Sequence, residues 1–344
     1  MALVLVLCAV FWGLGMALNT PKPMRWAMIG MMLVAVILLH FILPQGNPLR
    51  MATGETAMLW LLLLGAAALV WAYRKGLSHL RNRAQPADQP ETDAPLFSDT
   101  ELNRYARHIV MREVGGPGQK ALKQAKVLVI GAGGLGAPAL QYLAAAGVGT
   151  IGVVDDDVVE NANLQRQVIH RDQDIGMPKV FSAQAAMIAQ NPHVTVRPYH
   201  RRLGADDARE LIADYDLVLD GCDNFETRYL VNKACVELGK PLISGALTQW
   251  EGQLSVFDPK NASPCYKCIF PQAPAPELAP SCAEAGVIGP LPGVIGSMMA
   301  IEAIKVLTGA GTPLRGELLI YDALYGESRK IMIAPRADCP VCGG

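Results

Sequence analysis

Hydrophobic positions are distributed along this chain in two different ways. Up to Tyr73 they form long runs: Ala2 to Leu18, Trp26 to Leu43 and Thr56 to Tyr73 contain no Asp, Glu, Lys or Arg apart from Arg25 and Glu55 at their borders. With 17, 18 and 18 residues, such runs predict helices of roughly 26 Å, just enough to cross a hydrocarbon core of about 30 Å. Beyond Phe97 the apolar segments shorten and alternate with polar ones. Val127 to Ile130, Gly149 to Val154, Asp216 to Asp220, Pro241 to Gly245 and Gly252 to Phe257 read as strands. Ser98 followed by Glu101 has the spacing of a capping box and predicts a helix through Leu102, Tyr105 and Ile109. The expected class is α/β: a Rossmann-like, mostly parallel sheet preceded by an α-helical transmembrane region.

The charges between the apolar runs set an orientation. Lys22 and Arg25 separate the first two runs, Arg50 and Glu55 the second and third, and Arg74, Lys75, Arg81 and Arg83 follow the third. The positive-inside rule then puts the N-terminus outside and everything after Tyr73 in the cytoplasm, a multi-pass inner-membrane protein. A cleaved signal peptide would need a basic first region and an Ala-x-Ala-like site, and the first run has neither. His40 is the one basic side chain inside these runs and reads as an interfacial histidine near a span end. Three transmembrane helices (1–75), a flexible tether (84–97, with Pro86, Pro90 and Pro95) and one soluble domain (98–344) make up the expected organisation.

Composition narrows the chemistry. The 30 Lys+Arg against 31 Asp+Glu leave a net charge of -1, so no basic field argues for nucleic acid. Eight cysteines are too few and too clustered for a disulfide scaffold. Four of them form the pairs Cys265-Tyr-Lys-Cys268 and Cys339-Pro-Val-Cys342, the number of thiolates that a closed tetrahedral zinc site takes, which favours structural zinc over a redox dithiol. Cys282, between the pairs, is either a structural thiol or a nucleophile; Cys8, Cys222 and Cys235 lie in apolar surroundings and read as packing.

The nucleotide signal lies in Val127-Leu-Val-Ile-Gly131-Ala-Gly133-Gly134-Leu-Gly136. A buried strand runs into a glycine turn that opens a helix. The glycines allow a tight turn and a close approach of backbone to phosphate, and the free N–H groups of the helix start favour an anion. The next strand ends in Asp155-Asp156-Asp157, where a Rossmann sheet places its ribose-binding carboxylate. Asn161, Asn163, Arg166, Gln167 and Lys179 follow the same strand edge. Asp223, after Asp216 to Asp220, either holds magnesium or caps the next helix. Arg104 and Arg107 read by default as a solvated basic face.

From Glu101 to Gly344 these motifs, in this order, resemble the bacterial ubiquitin-activating-enzyme-like adenylyltransferases of the MoeB, ThiF and HesA kind: Arg-Tyr-x-Arg, Gly-x-Gly-Gly-Leu-Gly, Asp-x-Asp, Asn-Leu-x-Arg-Gln, Pro-Lys, Asp-x-x-Asp-Asn and two Cys-x-x-Cys pairs. The resemblance is nearest to the molybdopterin-synthase branch, around Glu251-Gly-Gln and Gly286 to Ser297. It implies condensation of the C-terminal glycine of a ubiquitin-like sulfur carrier (MoaD-type, or ThiS-type in the thiamine branch) with ATP. It implies that Gly131, Gly133, Gly134 and Gly136 face the nucleotide and that Asp155 holds the ribose. Asn163, Arg166, Gln167, Lys179 and Asn224 would line the same site, with Asp223 on Mg2+ and the four cysteines on Zn2+. Arg107 matches an arginine that reaches the partner subunit's site, implying a homodimer. Cys282 stands where some members form a covalent link to the carrier or its sulfur. Sulfur itself would come from an external donor. The membrane runs are a departure from the family pattern. An NAD-dependent oxidoreductase would share the βαβ unit but give Arg166, Lys179 and the thiolates no role, and a silent scaffold would be free to lose Arg107, Lys179 or Asp223.

Overall fold

The computed structural model describes residues 2–18, 20, 22–54, 56–83, 95–274 and 285–343. The chain divides into two compact units, residues 1–94 and 95–344.

In the first unit each uncharged run is helical: α1 (Ala2–Ala17), α2 (Lys22–Ile42), a short α3 (Pro48–Thr53) and α4 (Ala57–Arg83). Only Met24–Ile42 is, among these, a helix stretch of full spanning length and hydropathy; Val6–Met16 and Trp60–Val70 are shorter apolar stretches. Val4, Val36, Ile37 and Trp60 pack together, while Leu7, Leu14, Leu38, Phe41, Leu62 and Leu69 are exposed. His40 is buried, 2.8 Å from the Val36 carbonyl through Nδ1 and bonded to the Gly54 carbonyl through Nε2. A histidine so enclosed meets polar backbone at both ring nitrogens, including the Gly54 carbonyl at the end of α3.

The second unit is a three-layer α/β/α domain around an eight-stranded sheet ordered β3-β2-β1-β4-β5-β6-β7-β8. The strands are β1 (Lys126–Ile130), β2 (Thr150–Val154), β3 (Thr195–Tyr199), β4 (Leu217–Asp220), β5 (Leu242–Leu247), β6 (Glu251–Phe257), β7 (Glu317–Asp322) and β8 (Glu327–Met332). The first five are parallel; β6, β7 and β8 continue antiparallel, so the sheet is mixed and the expectation of a mostly parallel one holds for its first half only. Successive strands joined by short connections can pair antiparallel without a crossover helix, and β5 to β6 is such a connection.

β1 shows why the sheet is central. Val127 and Val129 face one apolar layer with α8 (Gly136–Ala146), α9 (Lys179–Gln190) and α13 (Pro290–Thr308); Leu128 and Ile130 face the other, with α10 (Ala205–Ala213) and α11 (Phe225–Leu238). All four are buried, as a strand covered on both faces must be. α13 is as long and apolar as a membrane span, yet it buries Leu291, Ile295, Met299, Ala300 and Ala303 against the sheet layer. Gly296 permits this, because a Cβ there would lie 2.2 Å from the Leu135 carbonyl.

The capping box at Ser98 is present, with Glu101 taking the Ser98 N–H and Ser98 the Glu101 N–H. The helix it starts is broken at Tyr105 into α5 (Asp99–Arg104) and α6 (Ala106–Ile109). Tyr105 turns into the core, where its hydroxyl accepts a hydrogen bond from Asn191 Nδ2 at 2.8 Å. Of the expected tether, residues 84–94 lie outside the described residues.

Candidate functional site

The sheet reverses its winding between β1 and β4, and at such a switch point the loops leaving the strands diverge and leave a crevice. A cavity of about 1160 Å³ occupies it. Its floor is the glycine turn after β1; Asp155, Asp156 and Asp157 after β2 and Gly221 to Asn224 after β4 form its walls. It extends past the β5–β6 turn, Leu247 to Gln249, to Phe270, Gln272 and Val287.

The four glycines do different work. Gly131 has φ +93, a conformation open to glycine, and donates its N–H to the Val154 carbonyl. Gly136 does not face the cavity: a Cβ would sit 1.9 Å from the Gly131 carbonyl, so it serves the close packing of α8 on the strand. Gly133 meets nothing nearer than Gln167 at 3.7 Å. Among the described residues the N–H groups of Gly133 and Gly134 have no protein acceptor, which leaves them for a ligand anion.

Around this turn the structure gathers most of the expected side chains. Lys179, at the start of α9, is buried and places Nζ 2.6 Å from Asp157 Oδ2. Arg166 lines the cavity, and Asn163 lies behind it, accepting from Arg166 Nη2 at 3.3 Å rather than reaching the cavity itself. Gln167 is buried with an Oε1 that has no partner, a polar atom suited to a bound group. Asp155 accepts the N–H of Ala132 at 2.8 Å and that of Asp157 at 2.9 Å. Burial pushes its carboxyl above the usual range against the pull of Lys179 and these two N–H groups.

After β4 the two readings of Asp223 separate. Asn224, not Asp223, caps α11, its Oδ1 accepting the Thr227 N–H at 2.9 Å, so Asn224 lines the cavity with that oxygen already engaged. Asp223 is exposed to the cavity, with no hydrogen-bond or ion-pair partner among the described residues. Arg107 is exposed on α6 and does not line this chain's cavity. Cys282 lies outside the described residues.

Several residues at the site carried no signal in the sequence. Arg201 and Arg202, just past β3, line the cavity and pair with Asp207 at 2.9 Å and Glu226 at 3.3 Å. Their place at the carboxyl end of a parallel strand was the available clue. Beneath Asp223, the buried Arg228 donates to the carbonyls of Cys222 (2.6 Å) and Gly245 (2.8 Å) and to Ser244 and Asp220. Burial works to lower the guanidinium, but Asp220 beside it, with lesser help from Cys222, Tyr266 and Asp223, more than offsets that and holds it above its ordinary value. Cys222 is buried, and burial together with Asp220 at 2.7 Å pushes its thiol well up, so it is inert packing as its surroundings imply.

The four cysteines converge away from this cavity. Sγ separations are 3.9 Å (Cys265–Cys268), 3.6 Å (Cys265–Cys339) and 3.4 Å (Cys268–Cys342), and all four sulfurs lie within 4.8 Å of one another. A tetrahedron with metal–sulfur bonds of about 2.3 Å has edges of about 3.8 Å, so the donor set fits zinc. Burial acts to raise the Cys339 thiol, but the N–H groups of Cys342 and Val341 hold it down at about 7.

The profile of the ThiF family matches residues 105–341. The chain belongs to the ThiF family. A sulfur carrier protein adenylyltransferase from Thermus thermophilus is 53% identical over 251 residues, covering 72% of this chain and 93% of that protein. The SAMP-activating enzyme E1 of Haloferax volcanii is 50% identical over 244 residues, covering 71% and 90%. Among solved structures, Escherichia coli MccB with ATP superposes with a TM-score of 0.60 at 23% identity, covering 66% of this chain and 70% of that one, a likeness of fold. This ThiF-family chain is an enzyme, a nucleotidyltransferase.

Proposed function

We propose that this protein uses ATP to adenylylate the C-terminal glycine of a ubiquitin-like sulfur carrier, giving an acyl-adenylate and pyrophosphate. The observation that carries the reading is the cavity at the switch point, which two free glycine N–H groups, Arg166 and Lys179 line together and which Asp223 faces without a partner among the described residues. The names of the relatives from Thermus and Haloferax support the carrier as substrate.

The chemistry asks for this set. A carboxylate is to attack an anionic α-phosphate, so cations must offset the repulsion and stabilise charge on the departing pyrophosphate. The glycine N–H groups, Arg166 and Lys179 do so, with Asn163 orienting Arg166. Asp155 is the acceptor for the ribose hydroxyls. Asp223 would hold Mg2+, which when bound supplies further positive charge to the polyphosphate. The attacking carboxylate is already ionised at neutral pH, so no general base is needed. What remains is positioning. In this reading the carrier's chain end enters along the cavity's extension past Leu247 and Gln249, and Arg107 belongs to the second site of a homodimer.

The carrier is of the MoaD type, for molybdenum cofactor biosynthesis, with the ThiS type as the competing substrate and an external protein as sulfur donor. Cys282 is a candidate for covalent carrier chemistry, the four cysteines hold Zn2+, and α1, α2 and α4 anchor the enzyme in the inner membrane with the N-terminus outside. Exposed apolar side chains along α1, α2 and α4 support the anchor. Exchange of labelled pyrophosphate into ATP, measured on the full-length protein with each carrier in turn, tests the reading. Exchange with the MoaD type alone is expected; exchange with ThiS alone would reassign the pathway, and exchange with neither, from protein that binds ATP, would sink the carrier assignment.

A further inference from the structure

Ala132, in the glycine turn, has both its backbone groups taken by side chains. Its N–H donates to Asp155 Oδ2, and its carbonyl lies 3.0 Å from Nε2 of His170. His170 is buried, and its Nδ1 lies 2.9 Å from Ser182 Oγ. Ser182, three residues after Lys179 on α9, donates to Asp174 Oδ2 at 2.7 Å, an oxygen that also accepts the Arg171 N–H at 3.1 Å. Three contacts thus run in a row from a carboxylate to the carbonyl of the turn.

The carbonyl of Ala132 and the N–H of Gly133 belong to one peptide group. That group is planar and trans, so holding the carbonyl on one side aims the N–H to the other. Proton counting adds a second point. Both ends of the row, carboxylate and carbonyl, only accept. The serine brings one proton and a neutral imidazole one, against three contacts. With the serine proton given to Asp174, Ser182 can only accept from the ring, so a neutral ring serves Ser182 through Nδ1 or Ala132 through Nε2, whereas the imidazolium serves both.

We propose that His170 is a positioning residue for the nucleotide: it grips the Ala132 carbonyl so that the Gly133 N–H stays aimed into the cavity, and the Asp174–Ser182 relay makes this grip depend on the proton carried by the ring. The proposal rests on the reading of the cavity as an ATP site. Asp174 favours the extra proton; Lys179, the other charged group facing the ring, opposes it. Burial, the larger influence, also lowers the imidazole below its usual value, so the dependence falls on the acid side of that value. The sign follows: ATP affinity decreases as pH rises through the ring's titration.

The test is ATP affinity of the full-length protein by calorimetry between about pH 5 and 8. His170→Phe, which keeps a ring without polar atoms, is expected to bind ATP about tenfold more weakly, the worth of one hydrogen bond to a preorganised turn. Ser182→Ala frees Nδ1, lets the neutral ring keep its proton on Nε2, and is expected to flatten the pH dependence; the ratio of wild-type to Ser182→Ala Kd cancels the titration of ATP itself. A folded His170→Phe that binds like wild type, or a ratio constant with pH, would overturn the proposal. Should His170→Phe fail to fold, the Ser182→Ala profile decides alone. Wild type that binds no ATP sinks the nucleotide reading and this inference together.

Discussion

Lys179 stands where three demands meet: it opens α9, it is buried, and its ammonium ends beside Asp157 at the cavity. A helix N-terminus already favours an anion, and a lysine there adds a full charge that a developing pyrophosphate would feel. Asp157, by contrast, is exposed and stays hydrated if the lysine is removed. Lys179→Ala is therefore expected to fold, keep its melting temperature within a few degrees, and lose about 10²- to 10³-fold in kcat for pyrophosphate exchange, as the loss of a preorganised charge does. Steady-state exchange with saturating ATP checks it, and a variant retaining its rate would favour a scaffold over an enzyme. Asp155 was legible from its spacing after the glycine turn, and Arg166 and Lys179 from the strand edge they follow and the family motifs they match. Arg201 and Arg202 were not, since charged residues after a strand read equally well as solvated loop.

The glycine turn between β1 and α8 shows one element divided between ligand and fold. At Gly136 a methyl group would collide with the Gly131 carbonyl, a backbone atom that cannot give way. At Gly133 the same methyl has room but enters the space where the anion would lie. Gly136→Ala should then destabilise by about 3 kcal/mol or more, in the upper range for overpacking, read as a fall in melting temperature or loss of soluble fold. Gly133→Ala should melt like wild type and raise the KM for ATP. A similar outcome for both would mean that the turn is structural throughout. In the cysteine knuckle, purified full-length chain is expected to carry one zinc per chain by elemental analysis, and Cys339→Ser to lose it and melt lower, because metal binding free energy is folding free energy. Loss of a cysteine with no change in metal content would remove zinc from the account.

On the scale of the whole chain, the two units have opposite surfaces. The second buries its apolar residues in two layers, including a helix, α13, whose composition alone would suit a membrane. The first leaves Leu14, Leu38, Phe41, Leu62 and Leu69 exposed. Under the proposed anchor this apolar surface would be covered by lipid, in keeping with the flanking Lys and Arg pattern. The full-length protein is expected to stay with the membrane pellet after alkaline carbonate extraction. Val34→Arg, at a cost of about 2.5 to 3.5 kcal/mol for a charge at mid-helix, should shift part of it to the supernatant. Wild type released by carbonate would remove the anchor.

By itself the sequence determined what local chemistry enforces: strands from apolar runs, a turn from glycines, a helix start from the Ser98–Glu101 box, and two Cys-x-x-Cys pairs of thiolates. These depend on neighbours a few residues away, so they survive without knowledge of the fold. Only the tertiary structure decided which polar group faces what. It gave the cap of α11 to Asn224 and left Asp223 to the cavity, put Asn163 behind Arg166, turned Gly136 inward, broke the first soluble helix at Tyr105, and buried His40 between two carbonyls and His170 between a carbonyl and a hydroxyl. The physical reason is common to all of these. A polar side chain is committed by the partner it meets, and which partner that is, the nearby Thr227 N–H for Asn224 or the distant Ala132 carbonyl for His170, is set by how the strands and helices around it are placed.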